Sequence, residues 1–75
     1  MTFEKVKEII LYHLVVDEEK VTLESNLAAD LGADSLEIVE IVSSIEDCFN
    51  LEIPDEVYDN LLTVGDIVHY IDSVI

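Results

Sequence analysis

Few residues in this 75-residue chain carry chemistry: one cysteine, Cys48, two histidines, His13 and His69, several serines and 18 acids. A single cysteine forms no internal disulfide, and at a helical position Cys48 reads as a small surface filler rather than a nucleophile. His13 lies at the edge of an apolar stripe without an identifiable acid or nucleophile to work with, so it reads as packed and partly exposed. These groups form no recognisable catalytic constellation, and the chain is predicted not to be an enzyme. Ser35 is different. A serine at a helix start usually caps it, but here Asp34 already fits the cap position and Glu37 stands three residues on, the spacing of a capping box. That leaves the Ser35 hydroxyl free to face solvent in the first helical turn, where the helix dipole and unpaired N–H groups favour a phosphate ester. No base is in evidence beside it, which argues against a hydrolase nucleophile.

The helix that would carry Ser35 has two faces. Ile38, Ile41, Val42, Ile45 and Phe49 follow helical spacing and predict a core seam. Leu36 and Val39 lie well away from that seam, among Glu40, Ser43 and Asp47, with Glu46 at the border. Two readings stand: Leu36 and Val39 pack on the preceding loop, or they anchor a docking strip whose acids steer a basic partner.

The other elements must position this helix. Phe3, Val6, Ile10 and Leu14, with Ile9 beside them, predict a first helix over about 3–15, with Thr2 as N-cap. Glu4, Lys5, Glu8 and Tyr12 fall on its outer side. Residues 17–34 show no sustained period, a long connection expected to be functional or to hold a short helical turn. Val21, Leu23, Leu27 and Leu31 can pin it to the core, and Gly32 permits a sharp turn. Leu51 and Ile53 flank the next turn, and Pro54 opens a short third helix over about 55–61. Thr63 caps a fourth, with Asp66 three residues on and Val64, Ile67, Val68 and Ile71 as its apolar face. The expected class is all-α: a four-helix bundle with a short third helix and a long loop between helices one and two, forming one domain over residues 1–75.

Charge narrows the partners. The 18 acids face three lysines, Lys5, Lys7 and Lys20, and no arginine, a net charge of −15. Nucleic acid and acidic membrane surfaces would be repelled, whereas basic protein surfaces and divalent cations would be attracted. No apolar run reaches membrane-spanning length, and the expectation is a cytoplasmic monomer without membrane insertion. A calcium-sensor reading lacks the D-x-[DN]-x-[DN]-G loop. Any divalent binding would be loose, at Glu46 with Asp47 or at Asp55, Glu56 and Asp59, and no metal site is predicted.

The run LGADSLEIVEIV, Leu31 to Val42, resembles the signature of acyl carrier proteins, and the likeness continues through Phe49 into Glu52-Ile53-Pro54-Asp55. It spans the whole chain in length and helix order and lies nearest the stand-alone type of bacterial-style fatty acid synthesis. The resemblance implies that Ser35 bears a covalent 4′-phosphopantetheine arm, transferred from coenzyme A by a phosphopantetheinyl transferase (holo-carrier synthase). It implies that the arm's thiol holds acyl chains as thioesters, and that the bundle can shelter them. Asp34 and Leu36 would flank the arm. Basic patches on fatty acid synthesis enzymes would dock on Leu36, Glu37, Val39, Glu40, Ser43, Glu46 and Asp47. Three positions depart from the family pattern. Ser43 stands where an apolar residue, often Met, is usual; Cys48 replaces a frequent acid; Val15 replaces a helix-ending glycine. A left-handed Val would be costly, so the first helix is expected to end differently here. The alternatives are a specialised carrier for a polyketide or modified fatty acid pathway, and an acidic interaction domain without cargo.

Overall fold

The computed structural model describes residues 2–75, among which four α-helices and one 3₁₀ turn occur, with no strand: α1 (Thr2–His13), the turn Glu18–Lys20, α2 (Ser35–Phe49), α3 (Asp55–Tyr58) and α4 (Val64–Val74). The all-α architecture is as expected. α1 packs against both α2 and α4. Its Val6 and Ile10 meet Ile41, Val42 and Ile45 of α2 and Val64, Ile67 and Ile71 of α4 in one buried core. Each such side chain, fully withdrawn from water, contributes about 1.5–3 kcal/mol. Phe3, Ile9, Ile38, Phe49 and Val68 pack half-buried around it.

The predicted capping box of α2 forms, and the Thr63 cap of α4 proves to be a second one. In α2 the Asp34 side chain accepts from the Glu37 N–H at 2.8 Å and the Glu37 carboxylate accepts from the Asp34 N–H at 3.1 Å. In α4 Thr63 Oγ1 accepts from the Asp66 N–H at 3.1 Å, and Asp66 Oδ2 accepts from the Thr63 N–H at 3.0 Å. Each box satisfies two backbone donors that a helix start otherwise leaves open.

Three boundaries differ from expectation. Thr2 is not an N-cap: it lies within α1 and its hydroxyl donates to Asp72 Oδ1 at 2.7 Å, tying the start of α1 to the end of α4. α1 stops at His13 rather than Val15, although the Leu14 N–H still donates to the Ile10 carbonyl. Val15 then needs no left-handed backbone. Among the described residues only Asn50 and Gly32 have positive φ, at 54° and 73°, and both types tolerate it. α3 ends at Tyr58 rather than near Leu61, with Pro54 just outside it as a cap residue whose side chain offers no acceptor. The chain then runs on in tight turns, the Asn60 N–H to Val57 O and the Leu61 N–H to Tyr58 O, which bury Leu61.

The long connection is stitched rather than loose. Val21, Leu27 and Leu31 are buried as expected. Leu23 is a correction: its side chain is 46% exposed, and it pins the loop through its carbonyl, which accepts from the Gly65 N–H at 2.8 Å. The Val64 N–H donates to Ser25 O, and the Leu27 N–H to Leu62 O. Buried Ser25 holds the turn from within: its Oγ accepts from the Thr22 N–H, pairs with Thr22 Oγ1 and donates to the Lys20 carbonyl. Asn26 Oδ1 gathers the N–H groups of Ala28 and Ala29, and Gly32 turns the chain into α2. Lys20 closes the 3₁₀ turn, while Lys7 pairs with Glu18 at 3.4 Å and lies 6.0 Å from the Phe3 ring centre.

Candidate functional site

The capping box decides what Ser35 can do. Asp34 takes the Glu37 N–H, so Ser35 is released from capping and stands exposed as the first residue of α2. Its hydroxyl makes no hydrogen bond among the described residues. The N–H groups of a helix's first turn have no partner within the helix and carry its positive end. An exposed hydroxyl there can accept a phosphodiester without disturbing a bond the fold needs. Leu36 follows it, 67% exposed. The arrangement suits covalent attachment of a phosphate-linked group.

The outer stripe of α2 is open along its length. Val39 is 46% exposed, and Glu40, Ser43 and Asp47 are exposed as well. Leu36 and Val39 therefore do not pack away on the preceding loop, and apolar anchors ringed by carboxylates lie on one accessible face. Two of the predicted docking acids are engaged elsewhere. Glu37 completes the capping box, and the half-buried Glu46 uses Oε2 to accept from the Ile53 N–H at 2.7 Å. Tyr58, also half-buried, has its phenol pushed above its ordinary value, first by burial and then by the charges of Glu46 and Asp55.

Sequence reasoning missed a polar tie between α1 and α2. His13 Nε2 lies 2.8 Å from Ser44 Oγ, and the exposed Tyr12 ring meets the His13 ring edge-on at 5.2 Å. The two residues stand 31 positions apart and no local pattern links them. Cys48 is exposed and lines a shallow groove there with Lys5, Glu8, Ile9, Tyr12 and Ser44. Asn50, the left-handed cap that ends α2, was also unassigned, although Asn is the commonest substitute for glycine in that place. Among the described residues, no three His, Cys, Asp or Glu side chains converge as metal ligands.

Residues 4–71 match the family model described as the phosphopantetheine attachment site. The chain belongs to that family. Its relatives include the acyl carrier protein of Wolinella succinogenes, 48% identical over 71 residues, which cover 95% of this chain and 93% of the relative. Among solved structures, the acyl carrier protein of Enterococcus faecalis superposes with a TM-score of 0.81 at 40% identity, over 96% of this chain and 91% of that one. A Mycobacterium tuberculosis chain assigned as an acyl carrier protein superposes with a TM-score of 0.91 at 28% identity over the full length of both. The chain is thus a homologue of acyl carrier proteins, its cofactor is 4′-phosphopantetheine and its function is carriage. The exposed, unpartnered Ser35 at the start of α2 fits that group: a phosphate ester there meets the positive helix end, and Leu36 offers the arm an apolar neighbour. No described helix is long and apolar enough to cross a membrane.

Proposed function

We propose that residues 1–75 form one carrier domain that holds acyl intermediates of fatty acid synthesis as thioesters on a 4′-phosphopantetheine arm at Ser35. A phosphopantetheinyl transferase installs the arm from coenzyme A. Asp34 and Leu36 flank it. Fatty acid synthesis enzymes with basic patches then dock on the outer stripe of α2, formed by Leu36, Glu37, Val39, Glu40, Ser43, Glu46 and Asp47. The chain carries and presents its cargo without catalysing a step itself, and it acts as a monomer in the cytoplasm. The observation that carries the reading is the division of labour at the α2 start: Asp34 caps, and Ser35 is left free. The −15 net charge supports basic partners. Exposed Ser43, where the family usually has an apolar residue, favours a second reading, a specialised carrier for a modified fatty acid or polyketide pathway.

The test is incubation of apo chain and Ser35→Ala with coenzyme A and a transferase, followed by intact mass. The parent gains one phosphopantetheine, and the variant gains none while keeping its helical circular dichroism. Loading of the variant elsewhere would refute Ser35, and loss of its helicity would make Ser35 structural.

A further inference from the structure

Glu46 gathers three backbone donors of the link from α2 to α3, whose Ile53 is buried in the core. The Glu46 carbonyl accepts from the N–H groups of Asn50 and Leu51, and its carboxylate accepts from the Ile53 N–H at 2.7 Å. Among the described residues this carboxylate makes the one side-chain hydrogen bond that reaches residues 51–58 from another element. α3 is four residues long, Pro54 gives it no side-chain cap, and its own core contacts come from half-buried Val57 and Tyr58, with Ile53 buried just before it. Its acids Asp55 and Glu56 stand at its start. Yet Glu46 borders the α2 stripe, and its sequence neighbour Asp47 is exposed.

We infer that Glu46 is the positioning residue of α3, and that a cationic partner group docking on α2 competes with the Ile53 N–H for its carboxylate. The inference rests on the docking reading above and assigns Glu46 a role apart from Glu40 and Asp47, which steer. A carboxylate bonds a guanidinium or ammonium more strongly than a neutral amide. A partner cation drawn to Asp47 therefore meets a half-exposed acceptor whose present donor is the weaker one. Engagement of Glu46 frees the Ile53 N–H and loosens α3, so that docking at one helix is felt at the next.

Amide hydrogen exchange on the apo chain reads this directly, alone and with phosphopantetheinyl transferase lacking coenzyme A. In the free chain Glu46→Ala should speed exchange at Ile53, Val57 and Tyr58 about tenfold or more, the loss of one charge-assisted bond, and leave Ile67 and Ile71 in α4 unchanged. Glu46→Gln should restore most of the protection, because its amide oxygen can still accept. With transferase, Ile53 in the parent should exchange faster than in the free chain, whereas in Glu46→Gln, which lacks the charge, it should not. Equal exchange in Glu46→Ala and parent overturns the positioning role without any partner present. Greater protection of Ile53 in the parent complex overturns the competition. Addition of coenzyme A to the parent mixture reports Ser35 loading by mass, so failure of the carrier reading is seen separately.

Discussion

The loop between α1 and α2 is more firmly fixed than the helix α3. The loop has no regular structure beyond one 3₁₀ turn, but it buries Val21, Leu27 and Leu31 and its backbone bonds directly to residues 62–65. α3 is helical and buries no residue fully within its own bounds. Order in a small domain follows buried apolar area and satisfied backbone groups, not the label of an element. The fixed loop delivers Asp34 to its capping place and so holds Ser35 at the surface. α3, with no fully buried residue, is expected to open at lower cost than the loop.

The largest effect should come from the loop's core contact. Leu27→Ala should cost about 2–5 kcal/mol, whereas Val57→Ala in half-buried α3 should cost about 1 kcal/mol. Urea unfolding of both variants decides it, and the reverse order would break the comparison. Next comes Gly65, in the first turn of α4. A helical Gly→Ala change ordinarily gains up to about 1 kcal/mol. Here a methyl group on Gly65 would stand 2.8 Å from the Leu23 carbonyl oxygen, and overpacking against backbone costs about 1–3 kcal/mol. The clash should win, so Gly65→Ala should lower the melting temperature and raise amide exchange in residues 22–27. A stabilised variant would mean that the loop yields easily.

The smallest effect concerns pH and α3. Burial, then Glu46 and Asp55, raise the Tyr58 phenol above its ordinary 10.0. The folded chain therefore keeps a proton that the unfolded chain releases. Stability from this source is intact below pH 10 and declines as pH climbs through the folded value. Thermal melts between about pH 9 and 11 should show a steeper loss for the parent than for Tyr58→Phe, with lysine titration common to both. Parallel curves would place Tyr58 in ordinary solvent.

What could be read from the sequence was local. The pairs Asp34 with Glu37 and Thr63 with Asp66 stand three residues apart, and one helical turn brings each together whatever the rest of the chain does. Gly32 and the apolar seams were legible for the same reason. Ser35 stood out because its neighbour already did the expected job. The unread parts are tertiary. Gly65 is required by a carbonyl far away in sequence, His13 by a hydroxyl on another helix, and Ser25 by a loop path that no period announces. Glu46 looked like one more surface acid because its partner, the Ile53 N–H, belongs to the backbone and leaves no mark on side-chain pattern. Leu23 was misjudged from side-chain type, when its carbonyl makes the contact.

The placement of the three lysines, in α1 and the 3₁₀ turn, has a practical consequence. Between Lys20 and residue 75 the sequence offers trypsin no cleavage site, so even in a fully unfolded molecule residues 21–75 stay on one uncut stretch. Ser35, Cys48 and both capping boxes travel together in that fragment, and any group attached to Ser35 is weighed against a single invariant mass.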